Sequence, residues 1–269
     1  MALWTPAAIT TSLWLDASDA STLYDATSGG SLVAADGTVA RWEDKSGNNR
    51  HYTQATAGSR PTRKTAIQNG NDVIRFSNHF LFRSGGFVTL NSVTAFVVSK
   101  VDNDTVTTFQ FAMRNSGGGT SKRLYFAGTS TETLTAIGDT ATTVVFTKTL
   151  NWHMRSLRHG SNSHEAWLNG TAGTPQTQTS TAVPEKTSIG GLIASTSDVI
   201  GNPHYGDIAE IIICPTAIID ADRQKIEGYL AWKWGLEGNL PAGHPYENAA
   251  PTIPSPNTRR RRYAGGYGL

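Results

Sequence analysis

The side chains that could do chemistry are few and spread thinly. Glu165 and Glu210 stand in segments with strand character, and Glu227 stands in a segment with helical spacing. Hydrolysis of a glycosidic bond needs two carboxyl groups astride it, one protonated and one ionised. Neither strand glutamate has a second acid two or four positions away, where one strand would carry it on the same face. Of the 7 histidines, His153, His159 and His164 fall in one hairpin, so two of them can approach across strands. Zinc needs three or four ligands, and no cysteine or second acid is nearby, so these are read as solvated strand residues. Asp102-Asn103-Asp104 offers three oxygen side chains, but without a twelve-residue calcium loop it reads as a turn. No nucleophile elbow, phosphate loop or dinucleotide fingerprint is present. The expectation is a protein with no catalytic residue, no metal site and no cofactor.

Arg259, Arg260, Arg261 and Arg262 form the densest charge, followed by Tyr263 and Tyr267. Such a run can bind nucleic acid, can solubilise a tail, or can dock in an acidic groove with the tyrosines as anchors. The docking reading is adopted for these six residues. The chain of 269 residues has 23 Lys+Arg and 21 Asp+Glu, a net +2. Without the four clustered arginines the balance is 19 basic against 21 acidic, so residues 1–250 carry −2. A body that close to neutral lacks the concentrated positive field of a nucleic-acid binder, and nucleic acid is not an expected partner.

Charged residues are 16% of the chain and hydrophobic ones 38%, with 27 glycines and many Ser and Thr. That excludes a coiled coil and a charge-rich disordered chain, and the length allows a sizeable core. The lone Cys214 excludes an intrachain disulfide and a cysteine-rich zinc module. The opening Met-Ala-Leu-Trp-Thr-Pro lacks the basic and apolar parts of a secretion signal. The most apolar stretch, Ile208 to Cys214, is too short to span a bilayer and is broken by Glu210, so no membrane is expected.

The elements that must position these residues are mostly strands. Val93 to Val101 mixes β-branched and aromatic residues without a polar face, the pattern of a central strand covered on both sides. Phe109 to Met113, Arg123 to Phe126 and Thr142 to Lys148 are shorter versions. Trp152 to Arg158 and His164 to Leu168 are expected to pair across a five-residue loop, His159 to Ser163. Ile208 to Cys214 reads as a strand stopped by Pro215. One helix is expected, capped by Asp220, with Ile226, Tyr229, Leu230 and Trp234 on one face and Gly235 or Gly238 at its end. Trp232 and Trp234, two apart, must face differently, one on the sandwich and the other toward His244-Pro-Tyr246. The turn Asp44-Lys-Ser-Gly-Asn48 reads as stapled by Asp44, with Gly47 or Asn48 left-handed; a ligand or cation loop is the alternative. Many strands and one late helix predict an all-β antiparallel two-sheet sandwich over residues 1–250, with an extended Pro/Arg/Gly/Tyr-rich docking arm over 251–269.

Two groups of segments carry a family resemblance. The first comprises Leu13-Trp-Leu-Asp-Ala-Ser-Asp19, Val39-Ala-Arg-Trp-Glu-Asp-Lys-Ser-Gly-Asn48, Arg60-Pro61 and Val73-Ile-Arg-Phe76. The second comprises Glu165 to Gly170, Ser188 to Gly190, Gly206 to Ile212 and Asp222 to Leu236. Both resemble the laminin-G-like branch of the concanavalin A-like lectin/glucanase superfamily, across roughly residues 4 to 246. The Trp4-Thr-Pro opening and the Leu240-Pro-Ala-Gly-His-Pro-Tyr246 ending resemble phage and prophage virion proteins that carry this domain. The resemblance implies a jelly-roll sandwich in a non-enzymatic virion structural protein, made in the host cytoplasm and displayed on the virion surface as a decoration, fibre or tail module. Its implied partners are other virion subunits, a homo-oligomer among them. A carbohydrate- or receptor-binding module gripping a host-surface glycan is the alternative, and a glycan hydrolase with non-adjacent acids is a weaker one.

Overall fold

The computed structural model describes residues 2–102, 107–114, 123–129, 132–138, 142–179, 183–193 and 200–253. Two antiparallel sheets of nine strands each form a sandwich of the jelly-roll type, beside a two-stranded ribbon, Leu192–Ile193 with Ile200–Gly201. Val93–Val101 lies in the middle of the first sheet, between His153–Gly160 and Tyr205–Cys214. The far edge of Tyr205–Cys214 is shared: its first half pairs with Asn71–Ser77 and its second half with Leu13–Asp16. In the second sheet Thr108–Arg114 and Lys186–Ile189 are central.

Strand periodicity explains the two cores. Val93, Ala95 and Val97 face the second sheet together with Leu13, Leu15, Ile211 and Ile213. Their neighbours Phe96, Val98, Trp14 and Ile212 point the other way, where the helix covers them. The absence of a polar face on Val93–Val101 therefore has a direct cause, since helix and second sheet each bury one side of it. Among the described residues, no helix is long and apolar enough to cross a membrane.

The helix, Asp220–Trp234, buries Ile226, Tyr229, Leu230 and Trp234 on the expected face. Gly235 ends it in the left-handed conformation, with φ 66°. Its start differs from expectation. Ile219 is the N-cap and makes no side-chain cap, because the Asp220 carboxylate is turned to Arg158, 2.8 Å away. Trp234 is fully buried, and Trp232 Nε1 donates to the Tyr246 carbonyl at 2.8 Å, so the two tryptophans divide as the spacing required. Gly228 permits this closure, because a Cβ there would lie 2.5 Å from the Tyr246 ring.

The hairpin is tighter than expected. Pairing runs on through His159↔His164 and Gly160↔Ser163, leaving only Ser161 and Asn162 in the turn, both at positive φ (50° and 64°). Two left-handed residues give a turn whose twist matches the strands. The histidines are not solvated. His153, His159 and His164 are all buried, and both ring nitrogens of His159 face backbone carbonyls, those of Leu90 and Gln178. Burial of these rings on the inner face is what extends the ladder past the apolar residues.

At the other end, Trp4 donates to the Pro251 carbonyl and Ile253 to that of Ala2, so the first residues of the arm lie against the N-terminal segment. Arg259, Arg260, Arg261, Arg262, Tyr263 and Tyr267 lie outside the described residues, as do Asn103 and Asp104. Asp102 pairs with Lys100 at 2.7 Å.

Candidate functional site

Three elements meet at one end of the helix. Trp14 and Asp16 leave the Leu13–Asp16 strand on the helix side, and the antiparallel register sets Asp16 directly opposite Glu210. Tyr229 and Lys233, one helical turn apart, come down over the pair. The Lys233 ammonium lies 2.6 Å from Asp16 Oδ1 and 2.7 Å from Glu210 Oε2. Glu210 Oε1 also accepts from Trp14 Nε1 (2.7 Å) and Tyr229 (3.0 Å), while Oε2 accepts from Trp234 Nε1 (2.8 Å).

The third element is the turn after Trp42. Asp44 Oδ1 accepts the Trp14 and Ser46 amides at 3.0 and 2.8 Å, and Oδ2 accepts the Arg50 amide at 3.0 Å. Asp44 is the staple the sequence indicated, and Gly47 takes positive φ (83°); Asn49, and not Asn48, is the other left-handed residue. This geometry presents Lys45, whose ammonium sits 4.6 Å from the Trp14 ring centroid and binds Asp16 (2.9 Å) and Asp19 (2.8 Å).

Electrostatics follow from depth. Burial opposes ionisation of Asp16, but Lys233 and Lys45 overcome it and hold its carboxyl below the ordinary range. Glu210 is deeper, and burial pushes its carboxyl up despite Lys233, with the Asp16 charge adding to the rise. Desolvation works against the Lys45 cation, yet Asp16 and Asp19 raise its pKa above the ordinary value. Burial beside Glu210 pushes the Tyr229 hydroxyl far up.

Two clefts open on this cluster. One, of about 410 Å³, is lined by Thr5, Trp14, Asp16, Ser18, Asp19 and Lys45 among others. The second, of about 330 Å³, shares Trp14 and Lys45 with the first and adds Thr10, Thr11, Ser46 and Asn48. Lys45 and Trp14 thus form a ridge between the two depressions. A different hollow of about 340 Å³ lies by Arg158, Ser161 and Glu165, but its arginine is already held by Glu165 and Asp220.

Each acid has a partner from elsewhere in the chain. Glu210 is not isolated, since Asp16 faces it across 194 residues of sequence. Glu165 pairs with Arg158 at 2.7 Å. Glu227 accepts from Ser156 and Arg223, both at 2.6 Å, with His244 Nε2 at 3.3 Å. Glu210 has no surface in the clefts, and its two oxygens receive four donors, so the Asp16–Glu210 juxtaposition is built to dock the helix. Trp14, Asp16, Ser18, Asp19, Lys45, Ser46 and Asn48 all belong to the segments that carry the family resemblance, but periodicity within any one segment does not bring them together.

No family model matches the chain, and no curated protein matches it. Among solved structures, the botulinum neurotoxin serotype D binding domain is similar over 83% of this chain and 51% of its own, at 10% identity and a TM-score of 0.52. A Ruminococcus gnavus IT-sialidase CBM40 bound to α2,3-sialyllactose matches over 53% of this chain and 95% of its own, at 11% identity and a TM-score of 0.42. A NanB sialidase from Streptococcus pneumoniae matches over 59% of this chain and 27% of its own, at 15% identity and a TM-score of 0.47. The chain therefore spans about half of the toxin domain and about a quarter of NanB. At such identities the toxin domain speaks for a shared fold alone, and the other two, below 0.5, add no argument. The class is a two-sheet jelly-roll sandwich with its outer face closed by one helix.

Proposed function

We propose that the chain is a carbohydrate-binding module whose ligand lies in the twin clefts along the Trp14–Lys45 ridge. The observation that carries this reading is the pair of adjoining depressions of about 410 and 330 Å³, lined by hydroxyl, amide, ammonium and carboxylate groups held by the fold. Sugar hydroxyls need donors and acceptors at fixed spacing, and prior ordering of those groups lowers the entropic cost of binding. Asp19 and Ser18 supply one cleft, Asn48 and Thr10 the other, and Lys45 serves both. Hydrolysis is disfavoured, because the two cleft carboxyls, Asp16 and Asp19, are both paired with Lys45 and held below the ordinary range, which leaves no protonated acid for the leaving group.

The test is a glycan panel read by isothermal titration with the whole chain. At least one oligosaccharide is expected to bind, and Asn48→Ala and Asp19→Ala are each expected to weaken it fivefold or more. A panel without any binder, or both variants binding at full strength, contradicts the reading.

The setting on a virion surface rests on the sequence resemblance of Trp4-Thr-Pro and Leu240 to Tyr246. In that setting the module would face outward, while Arg259 to Arg262 with Tyr263 and Tyr267 would hold it to a neighbouring virion subunit, another copy of the chain included.

A further inference from the structure

Several described arginines are matched with acids. Arg41, Arg63, Arg75, Arg158 and Arg223 each form an ion pair with a carboxylate. Arg50 and Arg83 form none, yet both lie against one ring: their guanidinium carbons are 4.9 and 5.5 Å from the centroid of Phe87. Arg50 donates to the Ser12 carbonyl at 2.6 Å and Arg83 to the Gly85 carbonyl at 2.5 Å. A guanidinium has five N–H donors in a planar fork, so most of each fork is unspent. The acid near Arg50 is Asp44, whose oxygens are already engaged by the Trp14, Ser46 and Arg50 amides and the Ser46 hydroxyl. Desolvation and then the Arg83 charge, only partly offset by Asp44, hold the Arg50 pKa below its ordinary value.

Two like charges on one ring repel each other, and the nearby Asp44 charge opposes that repulsion at Arg50 without forming an ion pair, so both forks remain open to an anionic ligand. The fold holds them there. Gly85 takes positive φ (87°), its amide donates to the Glu185 carbonyl, and a Cβ on Gly86 would lie 1.9 Å from the Pro184 carbonyl oxygen. The loop carrying Phe87 is thus locked against the Pro184–Glu185 segment. A third polar group is idle: the Tyr52 hydroxyl is fully buried, within electrostatic reach of both arginines, and makes no hydrogen bond of normal geometry although Thr187 is beside it. The position also matters. Arg50 grips Ser12, and the adjacent Thr11 carbonyl is gripped by Asn48, so Arg50 holds the residue next to the lining of the 330 Å³ cleft.

We propose that Arg50 and Arg83, against Phe87, form a subsite for an oxyanion substituent of the glycan, a carboxylate or a sulfate ester. The forks match either group in two-point hydrogen bonding, and Phe87 offers apolar contact to the carbon skeleton that bears it. The sugar rests on the glycan-binding reading; the oxyanion site stands on the arginine pair itself.

The experiment is titration of the full chain with oligogalacturonate, with its methyl ester, with a sulfated galactan oligomer and its desulfated form, and with inorganic sulfate. The expected result is an anionic oligomer binding at least tenfold more tightly than its neutral counterpart. The acid or the sulfated arm identifies which oxyanion is preferred. Arg83→Gln, which removes one side-chain bond, to the Gly85 carbonyl, and the contact with Phe87, and Arg50→Gln are expected to erase that preference while far-UV circular dichroism stays unchanged. If Arg50→Gln fails to fold, Arg83→Gln decides. Equal affinity for charged and neutral oligomers overturns the proposal, as does a preference that survives Arg83→Gln. If no oligomer binds but inorganic sulfate raises the melting temperature of the wild type more than that of Arg83→Gln, the oxyanion site holds and the glycan reading fails. If sulfate acts equally on both and no oligomer binds, both fail.

Discussion

Lys233 neutralises two carboxylates that the fold places face to face, and it does so from a side chain only 13% exposed. Replacing it by methionine keeps the stem and removes the charge, leaving Asp16 and Glu210 opposed in a poorly solvated site. Lys233→Met is expected to lower unfolding free energy by about 3–5 kcal/mol, the usual cost of breaking a buried pair from one side; urea denaturation measures it. A second residue-level consequence concerns His153 and His204. Burial, reinforced by the Arg155 charge, pushes both down from 6.5 to about 3. In the unfolded chain both protonate below 6.5, whereas in the folded chain they stay neutral, so the unfolded state binds more protons as pH falls. Their contribution is complete above 6.5 and is lost progressively between 6.5 and about 3, by up to about 1.4 kcal/mol per pH unit for each ring. Unfolding free energies measured from pH 7 to 4 should show that slope, and His204→Gln should flatten it. A pH-independent stability over this range would contradict the burial of these rings.

The elements were read from the sequence with uneven success, for physical reasons. Val93–Val101 was legible because both faces are covered and every position before Lys100 is therefore apolar or small. The helix was legible through its apolar face and Gly235, but not its start, because Asp220 has Arg158 as a stronger partner than the free amides. The hairpin turn was misread because Ser161-Asn162 is not a glycine-bearing pair and because buried polar His159 and His164 look like loop residues. The arm is the element with the sharpest consequence. Pro251 to Ile253 lie against Ala2 to Trp4, so the body extends to residue 253 in its contacts. If the chain is the virion subunit proposed above, one ending at Ile253 is expected to keep its melting temperature and its glycan binding while losing incorporation into the virion. Full incorporation of that truncated chain in a complementation assay would remove the docking role of Arg259 to Arg262.

At the scale of the molecule, the cleft is assembled by topology. The bulge between Ile208 and Glu210 lets Ala209 and Glu210 both face the helix, after which Ile211 and Ile213 return to the inter-sheet core. A strict alternation from Ile208 would have put Glu210 inside the sandwich, so neither its direction nor its pairing with Asp16 was legible. The turn at Asp44 was legible as a staple, yet its role in carrying Lys45 onto Trp14 depends on contacts between segments about 30 residues apart. The central claim is that glycan binds along this ridge. The most direct measurement is amide chemical-shift mapping of the ¹⁵N-labelled chain titrated with a binding oligosaccharide. Shifts confined to Thr5, Thr10, Thr11, Asp16 to Asp19, Lys45, Ser46 and Asn48 are the predicted result. Shifts centred instead on Phe82, Tyr125 and Ser188 in the second sheet, with the ridge amides unmoved, would contradict it.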